Sequence, residues 1–550
     1  MDRRAFIRAS TAGVARVGLG APAIAAEPGQ AAGDTEEATP VPGGETLARL
    51  NVLHIMADQH QAACMGCEGH PQAITPNLDR LAAQGVRFTH AYTQNPICTP
   101  SRVGILSGQY CHNHGYYGLS GPRPEALPSF FSHFRAHGYR TAGVGNLHTP
   151  NDPRNWLEDH LDLFADTFES VEARQEQTEW YDHVRAKGLL DQKDFHFWSQ
   201  HPELMMEGMP SHIRFEDAQE GWSVERAIRF MDECKQAGRF FCVQVSLERP
   251  HQPFYPDQRF WDMYPEDLGL PPTINQDPSG RPPHFRGAYQ GFHNWAGAIE
   301  PKSFEAAARR VWRGYLACIT HVDHAVGLLL DYLDREGLAA NTCVVYDADH
   351  GGYSGTHGIH EKAPGICSEA VCRVPFLWRA PGVPTGGGVC RRLVENVDTA
   401  PTIASLCGLP PMATTDGHDL VGLLRGEDAP VREVAVTEHP WSRALRWNEW
   451  RFVHYQRGMF GDEDVGELYN LAEDPDESRN LYHDAGHRPV VEGCRRRLLE
   501  WLIATTRVRT VWPALDWSHF PYDYRTAGDG KESNQAGPGA RLAKGQLNYL

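Results

Sequence analysis

Apolar positions along this chain fall into two alternating patterns. Leu50–Ala57, Phe241–Val245 and Thr342–Tyr346 are short and mostly apolar, as strands buried on both faces should be. Val311, Tyr315, Ile319, Val322, Val326, Leu329 and Leu333 recur every three or four residues, which predicts one face of a long amphipathic helix feeding the third run. Gly221 to Glu233 reads as a helix feeding the second. Each run leads into polar residues: Asp58-Gln59, Pro250-His251 and Asp347-Ala348-Asp349-His350. This repeated order of helix, strand and polar loop predicts an α/β fold, in which ligands collect beyond the carboxyl ends of the strands.

The pattern changes after about residue 410. Trp450–Tyr455 alternates like a half-exposed strand, and residues 411–525 are expected to form a smaller subdomain, an antiparallel sheet with a helix packed on it near 488–505. Residues 50–410 form the main domain. Residues 27–49, with their prolines and glycines, read as a linker, and 526–550 as a mobile tail. Residues 151–220 and 256–304 lack clear periodicity and are expected to be loops lining a pocket mouth. There are no internal repeats.

Composition narrows the classes. Apolar residues at 41% and charged residues at 22% are globular values. The net charge of -18 argues against nucleic acid as a partner, which needs basic surface, but not against a small anion held by a few focused cations. Residues 1–26 look like an export signal: Arg3-Arg4-Ala5-Phe6-Ile7 resembles a twin-arginine sequence and precedes an Ala/Gly/Val segment and the small-residue site Ala23-Ile24-Ala25. The location expected is periplasmic or secreted. No later uninterrupted apolar run is long enough to cross a bilayer, so stable membrane insertion is not expected. Thirteen cysteines permit disulfides in an oxidising compartment without fixing any pairing. Cys64 and Cys67 lack the second ligand pair that a zinc site needs.

The densest chemistry lies at Cys98-Thr99-Pro100-Ser101-Arg102, continued by Leu106-Ser107-Gly108. Pro100 is suited to open a helix over 101–107, which would put residue 98 at a helix N-terminus, where N–H groups and the dipole favour an oxyanion. The stretch closely resembles the sulfatase signature C-x-P-S-R-x-x-x-[LT]-x-G. That resemblance implies an alkaline phosphatase-like fold with a large mixed, mainly parallel sheet. It also implies that Cys98 is oxidised to formylglycine by a formylglycine-generating enzyme, a transient partner.

Further stretches match the family in its order: Thr75–Ala82, the Pro250-His251-Gln252-Pro253-Phe254 loop, His360-Glu361-Lys362 followed by Ser368–Pro375, and Glu467–Leu471 with Asp474-Pro475 and Asn480-Leu481. The resemblance implies a divalent metal, Ca²⁺ by its oxygen-rich donors, held by Asp58, Gln59, Cys98, Asp349 and His350. Gln59 stands where an aspartate is usual. Arg102, His148, His251 and Lys362 would be catalytic, with His251 the proton donor to the leaving alcohol. Asn146 would contact substrate where a lysine is common.

The activity implied is hydrolysis of a sulfate monoester, of a sulfated carbohydrate or a small aryl sulfate. The hydrated aldehyde would attack sulfur and then expel sulfate without a separate water. Two alternatives stand beside it: phosphodiester or phosphonate monoester hydrolysis on the same fold, and a non-catalytic binder of sulfated glycan.

Overall fold

The computed structural model describes residues 49–119, 124, 126–151, 154–167, 178–189, 207–299, 303–362, 365–384 and 386–507. The export signal, most of the linker and the tail expected above lie outside the described residues.

Ten strands build the main domain: β1 (Asn51–Asp58), β2 (Val86–Phe88), β3 (Ala91–Tyr92), β4 (Arg140–Gly145), β5 (Leu163–Asp166), β6 (Phe241–Pro250), β7 (Thr342–Ala348), β8 (Phe376–Arg379), β9 (Gly388–Cys390) and β10 (Val394–Glu395). Eight form one sheet in the order β5-β4-β6-β1-β7-β8-β2-β9. The first five run parallel, and β8 alone is antiparallel to both its neighbours. The sheet is therefore mixed and mainly parallel, as expected. All three apolar runs lie at its centre, β1 between β6 and β7, each buried along nearly its whole length.

Helices cover both faces, as the buried strands require. The principal ones are α1 (Pro76–Ala83), α2 (Cys98–Ser107), α3 (Phe130–Ala136), α4 (Gln219–Gln236), α5 (Phe304–Arg335), α6 (Thr399–Leu406) and α7 (Arg488–Thr505). One apolar layer joins α1, α4 and α5 to the sheet through Leu78, Phe230, Val326 and Leu329; another joins α2, α3 and α6 through Val103, Phe130 and Ile403. The seven spaced positions predicted for α5 are all buried. This helix is long enough, and on average apolar enough, to span a bilayer, although Thr320, His321 and Asp323 interrupt its apolar run. Its most apolar window is 83% buried inside the fold, which makes it a core helix.

Residues 256–304 are not simply loop. Pro283–Ala298 is a helix that buries only Phe285, Phe292 and Ala296, a stripe too narrow to give a periodic signal, and Gly287, Gly291 and Gly297 disguise it further. Glu179–Ala186 is likewise a short helix.

Four strands, β11 (Ala435–His439), β12 (Ser442–Trp447), β13 (Trp450–Tyr455) and β14 (Gly466–Asn470), form the second sheet, antiparallel throughout. Helix α7 packs on it through Val491, Cys494, Leu498 and Trp501. The sheet is tied to the main domain by buried contacts from β11: the Val436 N–H donates to the Glu395 carboxylate, and Thr437 Oγ1 to Thr93 O at 2.6 Å. None of the thirteen cysteines is bridged.

Candidate active site

The site is assembled at the carboxyl ends of β1, β4, β6 and β7 and at the start of α2. Because β1 and β7 are in register up to Ala57 and Ala348, the residues that follow, Asp58 and Asp349, emerge side by side. A turn follows β1, with Gln59 in the left-handed region at φ 67°. Tyr315 of α5 holds that turn, donating to Gln59 O at 2.8 Å and accepting from the Gln61 N–H at 2.8 Å. On the other side, Gly145 ends β4 at φ 98°. A Cβ there would lie 2.0 Å from Ser246 O, so only glycine lets the chain turn to Asn146.

Helix α2 begins at Cys98, three residues before the expected 101–107 span. Pro100 is the third helical residue, where an N–H has no intrahelical partner to lose, so its ring fits inside the first turn. Residue 98 thus occupies the helix N-terminus and is 2% exposed. Its Sγ lies 3.1 Å from His350 Nε2 and 3.7 Å from Asp58 Oδ1. The Asp349 main-chain carbonyl accepts from Ser101 Oγ at 2.5 Å and Thr93 Oγ1 at 2.7 Å, which locks the loop after β7 onto α2.

Arg102 is buried among these groups. Its Nε donates to Asp349 Oδ2 at 2.9 Å, and one terminal nitrogen donates to Asp58 Oδ2 at 3.0 Å. The other donates to Asn146 O at 2.6 Å and Ser246 Oγ at 2.7 Å. Its donors are therefore spent on holding two carboxylates and a carbonyl in place. Burial, then Asp349, push the Asp58 carboxyl up. Burial acts the same way on Asp349, but His350, Arg102 and the Gln59 N–H outweigh it and hold that group low.

Asp58, Cys98, Asp349 and His350 offer one ligand atom each, all within 4.8 Å of one another and all buried. His350 Nδ1 donates to Gly351 O at 2.7 Å, which leaves Nε2 with its lone pair facing Sγ. Burial lowers His350 to about 4, against the pull of Asp349. Two carboxylates, a neutral imidazole and residue 98 make a donor set that fits a divalent cation.

The remaining expected residues surround this cluster. Lys362 Nζ donates to Gln59 Oε1 at 2.7 Å, and Gln59 Nε2 to Gln252 Oε1 at 2.9 Å. His251 Nδ1 donates to Gln252 O at 2.6 Å, leaving Nε2 for other partners. Burial and then Lys362 push His251 down to about 4, while Glu361 pulls it up. Burial, Arg102 and His251 hold His148 well below its usual value. Asn146 Nδ2 lies 3.4 Å from Asp58 Oδ2, and its Oδ1 is buried without a hydrogen-bond donor. His360 fills a slot among Phe254, Phe292 and Trp295.

All ten residues singled out from the sequence are thus gathered around one corner. Sequence reasoning missed Tyr315, Ser246, Gln252, Thr93 and the role of Glu361. Tyr315 carries only a helix-face signal, and Ser246 lies within an apolar strand.

Comparison with known proteins bears on the family and the fold. The family model described as Sulfatase matches residues 50–409, and that of the C-terminal part of N-sulphoglucosamine sulphohydrolase matches 355–503. The chain is 28% identical over 450 residues to an ulvan-active sulfatase of Formosa agariphila, covering 78% of this chain and 76% of that one. It is 27% identical over 460 residues to a choline-sulfatase of Rhizobium meliloti, covering 79% and 83%. Among solved structures, the phosphonate monoester hydrolase of Silicibacter pomeroyi superposes with a TM-score of 0.69 at 23% identity, over 83% of this chain and 96% of that one.

Proposed function

The chain belongs to the sulfatase family, enzymes that hydrolyse sulfate esters, and on that premise we propose that it cleaves sulfate monoesters with a formylglycine formed from Cys98 and one divalent metal ion, Ca²⁺. The observation that carries this reading is the convergence of Asp58, Asp349 and His350 on residue 98 at the start of α2.

Asp58, Asp349, His350 and residue 98 would hold the metal, joined by Gln59 once its amide oxygen exchanges Lys362 for the ion. Bound there, the cation would polarise an ester oxygen and acidify a hydroxyl at residue 98. Formylglycine, as its hydrate, would supply the attacking hydroxyl and a second one through which sulfate is expelled without further water. Arg102 keeps both carboxylates turned inward. Lys362, His148 and the Asn146 amide bind the ester oxygens and stabilise the charge that grows on them. His251 keeps its Nδ1 proton on Gln252 O and delivers a second proton from Nε2 to the leaving alcohol as the imidazolium, which the incoming anionic ester stabilises against Lys362.

A second reading, hydrolysis of phosphonate monoesters or phosphodiesters, is favoured by one observation. Asn146 brings no charge to the ester end, and Glu361 Oε1 lies 4.0 Å from Lys362 Nζ, so the pocket is less positive than a lysine pair would make it. The two readings separate on turnover: the metal-loaded protein should hydrolyse 4-nitrophenyl sulfate with higher kcat/KM than 4-nitrophenyl phenylphosphonate. The reverse order would establish the second reading, and binding of sulfated glycan without turnover would establish a non-catalytic role. The location, periplasmic or secreted by the twin-arginine route, and transient handling by a formylglycine-generating enzyme are part of the same proposal.

A further inference from the structure

Glu361 is an acidic side chain beside the ester-binding groups that the proposed chemistry does not use. Its Oε1 is 4.0 Å from Lys362 Nζ, yet its side chain is 45% exposed where that of Lys362 is 10% exposed. The carboxylate therefore sits outward of the lysine, on the solvent side of the pocket. It is also hydrogen-bonded to Gln252, whose main-chain carbonyl fixes His251 and whose amide oxygen accepts from Gln59. Lys362, Gln59, Gln252 and Glu361 form one chain of hydrogen bonds, which places the Glu361 carboxylate on the His251 side of the site. Burial works against its ionisation, but Lys362, His251 and His360 hold it low, so it stays charged at neutral pH.

We infer that Glu361 selects the alcohol half of the substrate, favouring esters whose alcohol is uncharged or carries an ammonium centre and rejecting alcohols that bear a further sulfate or carboxylate. This rests on the proposed function, since the alcohol half is taken to leave past His251. A carboxylate fixed on that path repels a second anionic group and attracts a cationic one. Lys362, 4.0 Å away, offsets part of this charge, but its Nζ is turned to Gln59 and it lies deeper than the carboxylate, while Arg102 is buried between two other carboxylates. Two unit charges about 7 Å apart near a protein surface interact strongly enough to change a rate constant roughly tenfold or more.

The test compares kcat/KM for three aryl sulfates: 4-nitrophenyl sulfate, 4-(trimethylammonio)phenyl sulfate and 4-carboxyphenyl sulfate. Dividing each variant's cationic-to-anionic ratio by that of the unaltered enzyme cancels the intrinsic reactivity of the esters. The ratio is expected to fall roughly tenfold in Glu361→Gln and further in Glu361→Lys, with melting temperatures confirming that both variants fold. An unchanged ratio in two folded, active variants would overturn the inference. Should the enzyme act only on the matching aryl phosphonates, the sulfate reading fails alone and the same ratio is measured on that series. Turnover of neither class would remove both.

Discussion

Sγ of Cys98 points at the lone pair of His350 Nε2 across 3.1 Å, with the Asp58 carboxylate on its other side. A thiol there is wedged among would-be metal ligands. If residue 98 is oxidised as proposed, the peptide containing it should carry an aldehyde in protein produced together with a maturating enzyme, as read by mass spectrometry. Cys98→Ala should fold normally and lose turnover by at least roughly a thousandfold. Active protein with only a thiol at this position would remove the mechanism.

Chelation should abolish turnover and Ca²⁺ should restore it, with Mg²⁺ and Mn²⁺ assayed alongside. Asp349→Ala is expected to be inactive with every ion. Full activity in that variant would place the metal elsewhere.

Arg102 is the cation between Asp58 and Asp349, so removing it leaves two buried carboxylates facing each other. Arg102→Ala should cost about 3–5 kcal/mol of stability in metal-free protein, and less once a divalent ion is bound. Thermal melts with and without chelator measure the difference. An equal loss in both conditions would show that a bound ion does not replace the charge of Arg102, and so does not sit against these two carboxylates.

His439, at the end of β11, is 1% exposed, and burial, with Arg443 and His284 close by, pushes its pKa from 6.5 to about 3. The unfolded chain binds this proton first. The stability gained by keeping the ring neutral is therefore complete above about pH 6.5 and is lost as the pH falls towards 3, by about 1.4 kcal/mol per unit at most. Relative to the unaltered protein, His439→Phe should become steadily more stable between pH 6.5 and 4. A pH-independent gap in denaturant melts would contradict the neutral assignment.

Asn146→Lys would add a cation where the ester oxygens are proposed to bind. It is expected to lower KM for 4-nitrophenyl sulfate without improving phosphodiester turnover. If neither activity changes, Asn146 does not face the substrate, and the contact proposed for His148 falls with it.

What the sequence made legible depended on distance along the chain. Asp58, Asp349 and His350 each follow an apolar run directly, so strand and ligand could be read together. Cys98 and Arg102 belong to one short motif, which places a fixed charge close to residue 98, but the two carboxylates that hold the guanidinium lie far along the chain and carry no sign of it in the motif. Tyr315 serves a turn 254 residues away from it, and no local pattern distinguishes it from its apolar neighbours on α5. Glu361 looks like any acidic loop residue until Lys362 and Gln252 are placed beside it. Pro283–Ala298 stayed hidden because a helix that buries three side chains in sixteen residues has almost no periodicity to detect.

The burial of Cys98 also sets a schedule. Its covering partner His350 lies 252 residues further along the chain, and at ribosomal rates of about 5–20 residues per second that stretch takes roughly 13–50 s to emerge. Through that interval β1 lacks β7 and the loop that shuts residue 98 away from solvent. The enzyme proposed to oxidise this cysteine would have those seconds of synthesis, and whatever delay precedes folding, in which to reach it; a chain that closed first would keep its thiol.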